Sequence, residues 1–204
     1  MLTLFIKGGP IMYLLFGCSI WGLYIIVYKL MYLKSNTLDV PSSITRIKHQ
    51  ISSLGKAHAI QELQSRRSIA FLIFSKSISI AELPREDVQD AFHEVTQKEV
   101  HEIDRQLSIL STIISIAPIL GLLGTVLGLM DIFNVISGGA IGDATALSSG
   151  IAEALITTVT GLMIAAPFMF FHQLLSNKIQ SFLLDIEWGV NELIRFIRSQ
   201  GDLS

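Results

Sequence analysis

The stretch "SGIAEALITTVTGLMIAAPFMFF", Ser149 to Phe171, decides how the rest of the chain is read. It is long and apolar enough to cross a bilayer, which takes about 20 helical residues. Yet it keeps one carboxylate, Glu153, near its start, and three hydroxyls, Thr157, Thr158 and Thr160, soon after. An acidic side chain within a span costs about 2–3 kcal/mol on insertion scales, and such residues usually face a bundle interior or a wet cavity. A helix turning about 100° per residue puts Thr157 and Thr160 on the face of Glu153. Thr158 points about 140° away from it, together with Ala154, Gly161 and Ala165. A second reading stays open for Glu153, because few apolar residues precede it: it sits close enough to the outer surface to be solvated.

Two further segments can span. "GGPIMYLLFGCSIWGLYIIVY", Gly8 to Tyr28, and "QLSILSTIISIAPILGLLGTVLGLM", Gln106 to Met130, carry no charge. Half of the 204 residues are hydrophobic and 16% are charged, a balance that favours a membrane protein over a soluble domain. The first apolar run is longer than a signal-peptide core and no small-x-small cleavage site follows it, so it reads as a retained helix. Tyr24, Tyr28 and Tyr32 near its end suit an interfacial aromatic belt.

Basic residues orient the spans. Ten fall between Lys34 and Arg105, none lies in the loop after the second span, and Lys178, Arg195 and Arg198 follow the third. The positive-inside rule then places the middle region and the C-terminus in the cytoplasm and the N-terminus outside. The expected division is an outward N-terminus over 1–7, spans over 8–33, 106–133 and 149–175, a cytoplasmic helical region over 34–105, an outward loop over 134–148 and a cytoplasmic amphipathic helix over 176–204. Pro84, followed by Glu86 and Asp87, marks a helix start, and apolar residues at spacings of three and four continue unbroken into the second span. Ile179, Phe182, Leu183, Ile186, Val190, Leu193, Ile194 and Ile197 likewise extend the third span as one stripe. The fold class is therefore all-α, with long helices running on into a cytoplasmic bundle.

The second span carries two faces. Ala117, Gly121, Gly124 and Gly128 form a ladder of small residues that admits close approach by another helix. Ser115, Pro118 and Thr125 lie on another face, where Pro118 removes one backbone hydrogen bond. Serine and threonine there can equally bond back to their own helix. With antiparallel spans joined near Ile141, Thr125 falls level with Thr158, near mid-membrane. Glu153 falls higher, near Asp131, itself either a second acid or a solvated loop-end residue. Three helices do not enclose a pore, so a polar path requires more chains.

Other chemistries lack support in the sequence. Net charge of −2 gives nucleic acid no basic footprint. The single cysteine, Cys18, permits no internal disulfide, and there is no metal-ligand spacing, nucleophile elbow or phosphate loop, so no enzyme and no cofactor is expected.

"APILGLLGTVLGLMDIF", Ala117 to Phe133, and "GIAEALITTVTGLMIAAP", Gly150 to Pro167, resemble the two signature segments of the MotA/TolQ/ExbB proton-channel family. Three spans with the cytoplasmic region between the first two resemble its ExbB and TolQ branches; MotA subunits have four spans and are longer. The resemblance is strong from about Ser115 to Leu175 and only architectural elsewhere. It implies a homopentameric ring around a pore, with the single spans of an ExbD- or TolR-like partner dimer inside. It also implies a TonB- or TolA-like periplasmic protein driven by the proton motive force. The family's pore threonines match Thr125 and Thr158, its glutamate matches Glu153, and its glycines match Gly121, Gly124 and Gly128. Leu127 and the Phe171–His172 pair depart from its common pattern.

The resemblance nominates Thr158, whereas the helical wheel ties Thr157 and Thr160 to Glu153. Both hold if Thr158 faces a lumen and Glu153 a neighbouring subunit. The function expected is a proton-channel stator subunit in the bacterial inner membrane. The alternatives are a stator of another motor, flagellar or gliding, and a passive scaffold that tolerates apolar replacements of these residues.

Overall fold

A computed structural model describes residues 9–35, 39–66, 68–81, 85–137 and 144–201. Among the described residues all regular structure is helical: α1 (Ile11–Ser35), α2 (Val40–Leu54), α3 (Lys56–Ser65), α4 (Ile69–Ile80), α5 (Arg85–Ser137) and α6 (Ala144–Gly201). Three of these, α1, α5 and α6, are long and apolar enough to cross a membrane. The expectations for Pro84, the N-terminal segment before Gly9 and the loop centre at Ile141 lie outside the described residues. So do the side chains before Arg105 in α5.

The chain forms two compact units. One holds Met1–Leu30 and Gln106–Leu175; the other holds Met31–Arg105 and Ser176–Ser204. Helices α5 and α6 run unbroken for 53 and 58 residues, each contributing to both units. Each contains a proline, Pro118 in α5 and Pro167 in α6, within otherwise continuous helix.

In the first unit α1 packs on both other spans. Ile25 and Ile26 lie with Leu110, Ile113, Ile114 and Phe168. Nearer the start of α1, Ile11, Met12 and Leu15 close on Ala117 and Ala165. The opposite faces are bare: Leu14, Trp21, Leu23, Ile119, Leu122, Leu155 and Met163 are each more than half exposed in the single chain. So much apolar surface is what lipid and neighbouring helices cover.

In the second unit α2, α3 and α4 close on the last part of α6. Val40, Ile44, Ile47 and Ile51 recur every three or four residues and meet Phe71, Phe74 and Ile78. Ile186, Val190, Leu193 and Ile197 complete this core from α6. The stripe read from the sequence is therefore the packed face. Gly55 breaks α2 from α3 at φ 85° and ψ 163°, a conformation open almost only to glycine. The unit is pinned by Lys48, whose ammonium meets the Glu192 carboxylate at 2.6 Å and lies over the Phe196 ring. Arg198 donates from Nε to the Ala81 carbonyl at 3.3 Å. Glu192 and Arg198 lie off the apolar stripe of α6, yet both turn back onto the bundle.

Candidate functional site

The second and third spans meet backbone to backbone. The buried seam of α6 is Ala154, Thr157, Gly161, Ala165 and Phe168, at spacings of three and four. It lies against the small-residue ladder of α5. A Cβ placed on Gly161 would stand 2.5 Å from the Ala117 carbonyl oxygen, and one on Gly121 would stand 2.9 Å from that of Thr157. One on Gly128 would stand 2.9 Å from the carbonyl oxygen of Gly150. The ladder thus receives a helix of its own chain. Residues in contact across this seam have numbers adding to about 280, against the 283 expected from the loop centre.

The threonines divide. Thr157 is fully buried, and its hydroxyl faces the carbonyl oxygens of Ala154 at 2.9 Å and of Glu153 and Gly121 at 3.3 Å. Thr158 is half-buried and donates across the seam to the Gly121 carbonyl at 3.0 Å. Thr160 bonds back to Ile156 at 2.7 Å and Thr125 to Leu122 at 2.6 Å, while Ser115 bonds to Ser111 at 3.1 Å. These last three follow the back-bonding habit of hydroxyls in helices.

Glu153 is half-buried, and its carboxylate lies against Gly9, at the turn that opens α1. Asp131 is exposed at the far end of the α5 span. Pro118 is half-buried and Pro167 exposed. The structure therefore brings Thr157, Thr158 and Gly121 into one cluster. It turns the Glu153 carboxylate toward Gly9 and leaves Thr125 and Ser115 on open or partly open faces.

Four further residues of the span packing were not singled out from the sequence. Gly22 faces the Phe168 ring closely enough that any side chain would overlap it, and Gly150 faces Ile132 in the same way. Gly9 touches Glu153. Lys29, one position past the uncharged first segment, is 3% exposed. Lys29 lies inside the span expected over 8–33, and its burial carried no separate signal in the sequence. The glycines carried no spacing that distinguished them from ordinary span composition.

Residues 58–188 match the MotA/TolQ/ExbB proton channel family. The chain belongs to this family. A biopolymer transport ExbB homolog of Methanothermobacter thermautotrophicus is 32% identical over 187 residues, covering 91% of this chain and 66% of the relative. The Tol-Pal system protein TolQ of Haemophilus influenzae is 31% identical over 103 residues, covering 50% of this chain and 45% of the relative. The biopolymer transport protein ExbB1 of Vibrio cholerae is 29% identical over 188 residues, covering 86% and 82%. In the first two of these the match spans less than two thirds of the relative's own length. The matched region takes in the α5–α6 seam whole, so the glycine–threonine contacts described above lie inside the part that defines membership.

Proposed function

We propose that this chain is a proton-channel subunit of an ExbB/TolQ-type energising complex in the bacterial inner membrane. Its N-terminus lies outside and its C-terminus in the cytoplasm, as the distribution of basic residues favours. Copies assemble as a homopentameric ring. The single spans of an ExbD- or TolR-like partner dimer stand in the lumen, and a TonB- or TolA-like periplasmic protein takes up the work. The relatives named for biopolymer transport and for the Tol-Pal system favour this machine over a flagellar or gliding motor.

The observation that carries the reading is the polar pair on the backbone-packed hairpin. Thr125 and Thr158 keep hydroxyls within largely apolar spans, and each is partly open in the single chain. In a ring they offer polar groups that bring a proton to an acid on the partner's helix. A unit charge crossing the membrane is driven by about 2.3 kcal/mol per 100 mV. Glu153 lies outside that pair and acts from a subunit boundary or the outer mouth. Thr157 is a packing residue with its hydroxyl turned to backbone, and Thr160 and Asp131 hold secondary places.

The test is proton-dependent energy transduction in cells carrying Thr158→Val or Glu153→Ala. Both variants are expected to lose it, and full function in both overturns the site. Native mass spectrometry of the complex purified with its partner counts the chains.

A further inference from the structure

We propose that Gly9 is a positioning residue for Glu153. The inference rests on the reading of Glu153 as part of the proton machinery, and it concerns what holds that carboxylate in place.

Two observations meet at Gly9. Its φ is +64°, in the left-handed region that favours glycine. Independently, the space its missing side chain would take is occupied by Glu153: a Cβ there would overlap Oε1 and come within 3.1 Å of Cδ. The turn is tied into the helix that follows, with the Met12 amide donating to the Gly9 carbonyl at 3.2 Å and the Tyr13 amide to Pro10 at 3.3 Å. Behind it Ile11, Met12 and Leu15 are buried against Ala117 and Ala165, so the turn cannot drift away from the third span. The start of a helix also attracts a negative group. Gly9 is thus a lid of bare backbone laid on the carboxylate, and it sets which way Glu153 points. Because the colliding atom is the end of a flexible side chain, adding a methyl at position 9 moves the carboxylate rather than the helix.

The test uses the full complex in lipid nanodiscs and reads the carboxyl group directly. Dicyclohexylcarbodiimide labelling of Glu153 is followed by mass spectrometry in wild type, Gly9→Ala and Gly17→Ala. Gly17 lies in α1 with nothing within 4 Å of its would-be Cβ. Labelling is expected to quicken several-fold in Gly9→Ala and to stay at the wild-type rate in Gly17→Ala. Gly9→Asn separates the collision from backbone strain, since asparagine accepts positive φ yet still carries a Cβ; it should label like Gly9→Ala. An unchanged rate in both Gly9 variants, or an equal rise in Gly17→Ala, overturns the proposal.

A second arm follows energy transduction against external pH. Gly9→Ala should displace the profile, and Gly17→Ala should leave it at the wild-type position. An undisplaced profile in Gly9→Ala, or an equal displacement in Gly17→Ala, means Gly9 does not act through Glu153. If Glu153→Gln itself transduces normally while Gly9→Ala still alters labelling, the functional reading fails and the positioning stands.

Discussion

Thr157 fills the notch that Gly124 leaves in the neighbouring helix. A Cβ on Gly124 would overlap the Thr157 hydroxyl, stand 2.5 Å from its Cβ and 2.8 Å from its Cγ2. The contact joins the middle of the second and third spans, and it explains why a threonine in lipid-spanning sequence is wholly buried.

Enlarging that notch's floor should separate the spans. Gly124→Leu forces overpacking, which costs about 1–3 kcal/mol. Thermal unfolding in detergent should show a clearly lowered Tm, and Gly161→Ala should behave similarly because its new methyl meets the Ala117 backbone. Gly17→Leu, placed in open space, is the control and should leave Tm within about a degree or two, as surface changes do.

Thr157 and Thr158 both point hydroxyls at the Gly121 carbonyl. Each Thr→Val replacement alone should cost about 1 kcal/mol, the net worth of one hydrogen bond. The pair should be non-additive, since the second change strips the carbonyl's last hydroxyl partner. Urea titrations of the two single variants and the double variant measure the coupling. Simple additivity would show that the shared acceptor carries no weight.

Gly55 offers a cleaner backbone test. No atom lies within 4 Å of its would-be Cβ, so any cost of Gly55→Ala is conformational. At φ 85° and ψ 163° that cost should be about 1–3 kcal/mol. Gly55→Asn should not rescue it, because asparagine tolerates the left-handed helical region but not this one. Differential scanning of both variants decides the matter.

Acid should weaken the second unit through Glu192. The hydrogen bond from Lys48, then its charge, holds the Glu192 carboxyl below the ordinary carboxylate range; burial opposes this and Arg195 adds to it. A carboxyl lowered in the folded state stabilises above its unfolded pKa, about 4.3. That contribution fades as pH falls through the lower folded value. Stability measured from pH 7 down to pH 3 should therefore fall in wild type, and the limb should flatten in Glu192→Gln. A limb of equal slope in both would remove Glu192 from the acid response.

The helices themselves were legible because burial imposes a period. Ile179 to Ile197 read as one stripe, and the structure packs that stripe. The small ladder from Ala117 to Gly128 was legible as a close-approach face for the same reason, though spacing does not name the helix that fills it. Thr157 was harder to place. A wheel drawn from Glu153 groups by angle alone, while the seam runs through Ala154, Thr157 and Gly161 and takes Thr157 inside. Gly9 was illegible altogether, since its meaning comes from a carboxylate distant in sequence.

The glycine seam has a mechanical side. Where backbone meets backbone there are few rotamers to exchange, so the second and third spans act as one stiff stave. In the proposed ring of such staves, a change of bore falls at the joints between chains. Force delivered to one chain would then be felt first by its neighbours.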